Sequence, residues 1–326
     1  MLNASDTSSP FNPLNFDLNS PFTLSTTNSD SPRSNQDIYN NIQCKSIIKI
    51  DDDATLLFDF IILPNGYIIA ESSNIIRLWD PTCTKCLREY IGHSNRVWNI
   101  KLLTASDRML SCSADRTIKV WNFWTAECLA SLESHTDWVG KIEVNESFII
   151  SCSDDCTIKI WDLNNYKLIK TITGHNHYVQ CMMFINSNTL VSGSADRTLK
   201  LWNLFTGECS ATLIGHTNWI FCLTVLLTGE IVSGSLDNTI KIWDIKSQKC
   251  IRTLMGHKDE ITCLEVNKNN CIISSSKDRT IRIWCPLSGE CISILTGHID
   301  YVLKLKVLNS GEIVSGSCDK TLRIWQ

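Results

Sequence analysis

Long apolar segments are absent from this sequence. It contains no run of about 18 consecutive apolar residues, the minimum for a helix that crosses a membrane. Its first ten residues, MLNASDTSSP, lack the apolar core of a secretory signal peptide. These absences argue against a membrane protein or a secreted protein. We expect an intracellular protein of the cytoplasm, the nucleus or both.

A strong charge of either sign is also missing. The 326 residues carry a net charge of −4. Segment 1–42 accounts for −3 of this charge through Asp6, Asp17, Asp30, Asp37 and Arg33, which leaves −1 for the rest. A body so close to neutral has no basic stripe that could bind the phosphates of a nucleic acid. We therefore expect no nucleic-acid partner.

Short catalytic motifs are missing as well. The sequence has no Gly-rich phosphate loop, no HExxH and no GxSxG. Its only CxxC is Cys83-Thr-Lys-Cys86, and a single CxxC without a second one is a weak signal. The sequence therefore predicts no metal, no cofactor and no enzymatic activity.

What the sequence does contain is a repeat. Seven tryptophans recur at spacings of 42, 40, 41, 41, 41 and 41 residues, namely Trp79, Trp121, Trp161, Trp202, Trp243, Trp284 and Trp325. Six histidines keep the same phase, and they are His93, His135, His175, His216, His257 and His298. Six aspartates precede a tryptophan by six residues, and they are Asp115, Asp155, Asp196, Asp237, Asp278 and Asp319. A period this regular indicates a repeat architecture.

Each repeat predicts four short antiparallel strands. In one repeat they cover residues 261–266, 271–276, 280–284 and 290–295, with turns of 3 to 5 residues between them. In the third strand, Ile281 and Ile283 point to one face while Arg282 and Trp284 point to the other. Both faces carry large apolar groups, so each sheet must pack between two neighbours. The sequence therefore predicts an all-β fold whose sheets stand in a ring.

The sixteen cysteines follow the repeat rather than a disulfide pattern. One set lies seven residues after a repeat tryptophan and comprises Cys86, Cys128, Cys209, Cys250 and Cys291. A second set lies six residues after a repeat histidine and comprises Cys181, Cys222 and Cys263. We expect both sets to act as small buried apolar residues in a reduced compartment, with disulfide or metal roles as the alternatives.

Residues 1–42 differ in composition from the repeats. They are rich in Ser, Asn, Thr, Asp and Pro and show no periodicity, so we expect a disordered tail. Three Ser-Pro steps, Ser9-Pro10, Ser20-Pro21 and Ser31-Pro32, are hypothetical sites for a proline-directed kinase. The alternative is that serine and proline are simply frequent in such tails.

From about Cys44 to Gln326, the repeats resemble the WD-repeat β-propellers. The matching signature is Gly-His, a variable segment, a turn aspartate and then Trp-Asp or Trp-Asn, as in Gly174-His175, Asp196 and Trp202-Asn203. The resemblance implies a seven-bladed β-propeller of four-stranded antiparallel sheets over residues 43–326. The last blade has no fourth strand after Trp325, and we expect residues 44–50 to supply it and so close the ring.

The first repeat departs from the family signature. Asp51 stands where the histidine is expected, and Ser73 stands where the turn aspartate is expected. We still count this repeat as a blade because it keeps Leu78-Trp79-Asp80. We expect it to be the loosest blade of the ring.

The resemblance also implies a structural role for the recurring polar residues. In the family, a histidine, a turn aspartate, a strand serine and a tryptophan are linked by hydrogen bonds within each blade. Here these positions are His216, Asp237, Ser233 and Trp243, with Ser235 as an alternative serine. The equivalent sets elsewhere are built on His93, Asp115 and Trp121; His135, Asp155 and Trp161; His175, Asp196 and Trp202; His257, Asp278 and Trp284; and His298, Asp319 and Trp325. The seventh histidine, His177, lies in a loop and is expected to be exposed.

The partner-binding surface is expected on the face that the family calls the top. The loops after the histidines and the turns before the third strands lie on this face. The third residue after each histidine is then expected at the rim of the central channel, and these rim residues are Arg96, Trp138, Tyr178, Trp219, Glu260 and Tyr301. Exposed aromatics on a rigid rim are typical of protein-binding hot spots, although each ring could instead pack on a neighbouring blade. We expect a peptide or protein ligand and a monomeric propeller within a larger complex.

An alternative function is that of a substrate receptor in a ubiquitin ligase. Four cations directly follow a turn aspartate, and they are Arg116, Arg197, Arg279 and Lys320. They resemble some positions at which F-box/WD-repeat receptors bind phosphorylated ligands, and guanidinium groups suit phosphate. Three features weaken this alternative: the tail is too short and too polar for an F-box, no Trp-Asp-x-Arg sequence occurs, and Asp154 and Glu260 on the same face would repel an anion.

Overall fold

The computed structural model describes residues 42–49, 59–103 and 106–326. The tail over residues 1–41, its Ser-Pro steps and Asp51 lie outside these residues, and the statements about them stay predictions. The described residues form β-strands and no helix. Numbered along the chain, the strands are β1 (Cys44–Lys49), β2 (Phe60–Ile62), β3 (Ile68–Ser72), β4 (Ile75–Trp79), β5 (Cys86–Tyr90), β6 (Val97–Leu103), β7 (Arg108–Ser113), β8 (Thr117–Asn122), β9 (Cys128–Glu133), β10 (Val139–Val144), β11 (Phe148–Ser153), β12 (Ile158–Asp162), β13 (Leu168–Ile172), β14 (Val179–Asn186), β15 (Thr189–Ser194), β16 (Thr198–Asn203), β17 (Cys209–Ile214), β18 (Ile220–Val225), β19 (Ile231–Ser235), β20 (Ile240–Asp244), β21 (Lys249–Leu254), β22 (Ile261–Val266), β23 (Ile272–Ser276), β24 (Ile281–Trp284), β25 (Cys291–Leu295), β26 (Val302–Val307), β27 (Ile313–Ser317) and β28 (Thr321–Trp325).

These strands form seven four-stranded antiparallel sheets. Blades one to six take four consecutive strands each, from β2–β5 in blade one to β22–β25 in blade six. Blade seven combines β26, β27 and β28 with β1. The seven-bladed propeller predicted from the sequence is confirmed, and the strands of blade six begin and end within one residue of the predicted bounds.

The core lies between the blades rather than inside any one of them. Seven clusters of buried apolar side chains fill the seven interfaces between neighbouring blades. Between blades five and six, for example, Val232 and Ile240 pack with Ile261 and Ile272. The approach is close enough to require glycine, since a Cβ atom on Gly234 would lie 2.6 Å from Ile261 Cγ2. Each sheet is thus buried on both faces, as its two apolar sides require.

The ring is closed by pairing of the first strand with the last strand. β1 pairs antiparallel with β28, with Cys44 opposite Trp325 and Lys49 opposite Thr321. Gln43 and Gln326 extend this pairing, because each main-chain N–H donates to the carbonyl of the other at 3.0 to 3.1 Å. Ile42, which we assigned to the tail, packs against the core between blades six and seven. The predicted N-terminal closing strand is confirmed.

Blade one has polar anchors of its own. We expected Ser73 to occupy the position of the turn aspartate. It does not, because the turn between β3 and β4 contains only Ser73 and Asn74. Instead, the buried Asp59 bridges three blades: Lys304 Nζ lies 2.8 Å from Oδ1, and Ile100 N donates to Oδ2 at 2.9 Å. Burial acts to raise the pKa of Asp59, but the charges of Lys304 and Lys306 lower it to about 2. The carboxylate is therefore charged and paired.

The expectation for the cysteines is confirmed for one set and wrong for the other. Cys181, Cys222 and Cys263 are buried in the inner strands. The five cysteines that follow a tryptophan begin the outer strands and are half-buried or exposed, because no further strand covers them. Each of these thiols donates to the main-chain carbonyl two residues later, at 3.2 to 3.5 Å.

Ring closure can be tested by deleting residues 43–50. The deletion exposes the edge of β28 and should lower the melting temperature by at least about 10 °C and promote aggregation. Differential scanning calorimetry and light scattering would measure both effects.

A rescue variant serves as the control for this deletion. It carries residues 43–50 after Gln326, joined by a linker of about five residues, which suits the antiparallel pairing with β28. This variant should regain most of the lost stability. A deletion that melts cooperatively at the wild-type temperature would contradict closure by β1.

Candidate functional site

Six blades contain a hydrogen-bonded chain of four side chains. In blade five, Trp243 Nε1 donates to Ser233 Oγ at 2.8 Å, and His216 Nε2 lies 2.7 Å from the same oxygen. His216 Nδ1 lies 2.8 Å from Asp237 Oδ2. Because the carboxylate can only accept, Nδ1 carries the proton and the serine hydroxyl donates to Nε2. The other five blades show the same contacts at 2.7 to 2.9 Å.

The turn aspartate ties two segments of the top face together. Asp237 also accepts hydrogen bonds from the main-chain N–H of Thr217 and from the N–H and hydroxyl of Thr239, at 2.6 to 3.0 Å. Burial acts to raise its pKa, but the hydrogen bonds from His216 and Thr239 hold the pKa well below the usual range. The loop after the histidine and the turn before β20 are thus fixed by one carboxylate.

Ser235, the alternative serine, has a different partner. Its hydroxyl donates to the carbonyl of Asn218 at 3.2 Å and accepts from the N–H of Asp237 at 3.0 Å. Ser233 is therefore the serine of the chain, while Ser235 supports the loop. The imidazole of His216 is buried between these groups. With both nitrogens engaged inside the blade, it faces neighbouring side chains and not a cleft.

The backbone of each rim residue is fixed by the adjacent turn. In blade five, Leu236 N donates to the carbonyl of Trp219 at 2.9 Å. The equivalent bonds in the other blades, at 2.8 to 3.0 Å, reach the carbonyls of Arg96, Trp138, Tyr178, Glu260 and Tyr301. The rim residues therefore stand on a rigid support that the four-residue chains anchor.

Three of the predicted rim aromatics lie in consecutive blades, three to five. Trp138 is 46% exposed. The rings of Tyr178 and Trp219 meet edge to face with centroids 6.0 Å apart. His177 contacts both rings, with centroid distances of 4.2 Å to Tyr178 and 5.5 Å to Trp219. It is half-buried, so our expectation that it is exposed was wrong.

Two further aromatics of this surface were missed by the sequence reasoning. Trp98 lies 5.9 Å from Trp138, ring centroid to ring centroid, and Phe221 is 38% exposed. Both belong to inner strands, and each sits at a β-bulge that breaks the alternation of faces. The aromatic character of positions 98 and 221 was visible in the sequence, but the bulge that redirects them was not. We call Trp98, Trp138, Tyr178, Trp219 and Phe221 the aromatic arc.

The other predicted rim residues make contacts within the chain. Lys277 Nζ forms an ion pair with Glu260 at 2.5 Å and lies 5.7 Å from the ring centroid of Tyr301. The Arg96 guanidinium lies 5.8 Å from the ring centroid of Trp98. Glu260 and Tyr301 therefore share one cation on the opposite side of the rim from the aromatic arc.

The four candidate anion-binding residues are exposed but distributed. Arg116, Arg197, Arg279 and Lys320 all have a positive φ, between 63° and 73°. They belong to blades two, four, six and seven, so only the last two are in neighbouring blades. The structure does not bring them together into one pocket.

The described residues contain neither a side-chain cluster placed to bind a metal ion nor a helix able to cross a membrane. Within them, no group of three or more His, Cys, Asp or Glu side chains is placed to hold a metal ion. All sixteen cysteines are free thiols. The described part of the chain also has no helix long and apolar enough to cross a bilayer.

Comparison with known proteins adds three kinds of similarity. A family model described as "WD domain, G-beta repeat" matches residues 84–122, 126–162, 166–203, 207–244, 248–285 and 289–326. A solved structure, the WD40 beta propeller domain of Doa1, superposes with a TM-score of 0.78 at 23% identity and covers 88% of this chain and 98% of that one. This structural similarity shows a shared fold.

Curated relatives match shorter segments. The WD repeat-containing protein 89 homolog of Dictyostelium discoideum is 29% identical over 100 residues, 31% of this chain and 28% of that protein. The nuclear distribution protein PAC1 of Komagataella phaffii is 30% identical over 89 residues, 26% of this chain and 18% of that protein. The nuclear distribution protein nudF of Aspergillus niger is 27% identical over 115 residues, 33% of this chain and 26% of that protein. The chain thus spans less than a third of the length of these relatives.

The structural role of the turn aspartate can be tested in blade five. Asp237→Ala removes four hydrogen bonds and leaves the buried imidazole of His216 without its acceptor. The free energy of unfolding should fall by about 1 to 3 kcal/mol, measured by urea denaturation. Thr217→Ala in the same loop changes an exposed side chain and should cost less than about 0.5 kcal/mol. Equal stability of the two variants would contradict the assigned role.

Proposed function

The chain belongs to the WD40 repeat family, and from this premise we propose that it is a non-catalytic interaction scaffold that binds a peptide or protein partner on the top face of its propeller. The partner would contact the rim of the central channel, at the residues predicted from the sequence and at Trp98 and Phe221. In this proposal the propeller acts as a monomer within a larger complex.

The aromatic arc is the observation that carries this proposal. It comprises five large aromatic side chains that belong to four consecutive blades, two to five. Trp138 is 46% exposed and Phe221 is 38% exposed, so a partner can cover both rings. Large aromatics on a preorganised backbone lose little conformational entropy on binding, which is why they dominate interface hot spots.

The alternative of a phospholigand receptor for a ubiquitin ligase is less well supported. Its four cations are spread over four blades, and the acidic residue Asp154, whose main-chain N–H donates to the Trp138 carbonyl, belongs to the same face. An anion would gain little from cations so far apart and would be repelled by this carboxylate. The aromatic arc extends over four consecutive blades and contains two pairs of rings in contact, Trp98 with Trp138 and Tyr178 with Trp219, so we favour a ligand that it can bind.

The proposal predicts that the aromatic arc is required for partner capture. Trp219→Ala and Tyr178→Ala should each reduce capture by at least about tenfold, because each removes a hot-spot ring while the supporting backbone stays in place. Affinity purification from the source cell with quantitative mass spectrometry would measure the loss, and thermal melts of the two variants should stay close to wild type.

A matched control lies on the opposite face. Phe205 is 67% exposed in the loop between β16 and β17, away from the top face. Phe205→Ala should leave capture unchanged. Capture that survives both Trp219→Ala and Tyr178→Ala, or that depends on Phe205 alone, would contradict binding on the top face.

A further inference from the structure

One part of the aromatic arc combines an exposed ring with two carboxylates. Asp137 directly precedes Trp138 and accepts a hydrogen bond from its main-chain N–H at 2.8 Å, and the main-chain N–H of Asp154 donates to the Trp138 carbonyl at 2.9 Å. Among the described residues, neither carboxylate takes part in an ion pair. The described residues therefore provide no cation that pairs with the two carboxylates next to Trp138.

Asp154 is held in place but not neutralised. Gln180 Nε2 donates to Asp154 Oδ1 at 2.9 Å, which orients the carboxylate from the neighbouring blade. Burial and, after it, the negative charge of Asp137 raise the pKa of Asp154 to about 6. The other titratable groups of this region are Asp155 and Asp196, which are paired with His135 and His175, and Cys156, whose thiol donates to the Asp154 carbonyl. None of these groups supplies a positive charge near Asp154. A cation from a partner would therefore reduce the electrostatic cost of keeping the Asp154 carboxylate charged.

The contacts of the adjacent Trp98 ring indicate which kind of cation fits on Trp138. The Arg96 guanidinium lies over Trp98, and Trp98 in turn packs on Trp138 with an interplanar angle of 34°. On the rim's other side, Lys277 approaches Tyr301 and is paired with Glu260. The chain thus pairs a cation with each of these rings, whereas Trp138 keeps an exposed face and its acidic neighbours. A planar guanidinium can stack on such a face and donate to a carboxylate at the same time.

We propose that the aromatic arc recognises an arginine side chain in a short segment of the partner protein, stacked on Trp138 and bonded to the carboxylates of Asp137 and Asp154. The proposal rests on the proposed function and deepens it by naming the chemistry of the ligand. Arginine is favoured over lysine because its fork of donors can reach two carboxylates while its plane lies on the ring.

The test uses the purified full chain and a defined probe. Acetyl-Ala-Arg-Ala-amide is titrated against protein labelled with ¹⁵N at the indoles, alongside the same peptide with citrulline, a neutral isostere of arginine. The indole signals of Trp138 and Trp98 should shift saturably with the arginine peptide, and the citrulline peptide should bind about tenfold more weakly. The lysine peptide should fall between the two.

Two isosteric variants locate the charge. Asp154→Asn keeps an acceptor for Gln180, and Asp137→Asn keeps an acceptor for the Trp138 N–H, which donates to Asp137 Oδ1 at 2.8 Å. Each should weaken arginine binding by about fivefold to tenfold. The control is Asp300→Asn, because Asp300 accepts from the Tyr301 N–H at the same 2.8 Å on the other side of the rim. This control should leave binding unchanged.

Acidification gives an independent readout. Because a protonated Asp154 no longer attracts the guanidinium, affinity should fall severalfold as the pH is lowered from about 7.5 to about 5, and Asp154→Asn should lose this dependence. A purely structural role for Asp154 would not produce such a change. Equal binding of the arginine and citrulline peptides, no saturable shift up to about 10 mM, or shifts confined to the Tyr301 side would overturn the proposal.

The outcome is separable from that of the proposed function. If partner capture depends on Trp219 and Tyr178 but arginine and citrulline bind equally, the arginine proposal fails and the scaffold function stands. If the arginine peptide binds more tightly than the citrulline peptide but neither Trp219→Ala nor Tyr178→Ala reduces partner capture, the proposed binding surface of the scaffold is wrong instead.

Discussion

Burial of both faces of every sheet is the constraint on which this molecule depends. A four-stranded sheet with isoleucine, valine and tryptophan on its two sides cannot stay in water, and each of the seven interfaces buries a cluster of such side chains. A closed ring is the arrangement that gives every sheet two neighbours. It also requires the first strand to complete the last blade, since β28 would otherwise present a free edge.

Polar anchoring then turns the ring into a rigid platform. A buried imidazole needs partners for both nitrogens, and the serine and aspartate of each blade supply them. The same aspartate holds the loop and the turn of the top face through main-chain N–H groups. Blade one lacks this set of residues within its described part and uses the charged pair of Asp59 and Lys304, which joins it to blade seven. Stability and the geometry of the rim therefore depend on the same hydrogen bonds.

The fold was predictable from the sequence because its determinants repeat. The spacing of the tryptophans gave seven units, and alternation within β24 gave the two buried faces. The site was less predictable, because its side chains differ from blade to blade. The bulge recurs in six blades but carries an aromatic only in blades two and five. The ion pair between Lys277 and Glu260 and the ring contact between His177 and Trp219 are three-dimensional contacts that the spacing of the repeats does not show. The outer cysteines were misjudged for a different reason. The sequence already places them on the fourth strand, but that strand is the outer edge of its sheet, and no further strand covers Cys209.

The bulged position shows how a repeated fold acquires a specific surface. Each inner strand from β6 to β26 shifts register after its first residue, and the six residues at this point are Trp98, Gly140, Gln180, Phe221, Thr262 and Leu303. The four-residue chain is the same in all six blades because the core requires it, whereas these six residues all differ. A bulge leaves its residue outside the ladder, so the ladder itself does not fix which side chain stands there. In blade six this residue, Thr262, is buried and its hydroxyl contacts the carbonyl of Val302. In blades two and five the bulged position holds aromatics, and in blade four it holds the amide that orients Asp154. Two of the five residues of the aromatic arc, Trp98 and Phe221, thus come from the bulged position, and the other three come from the loops that the turn aspartates hold.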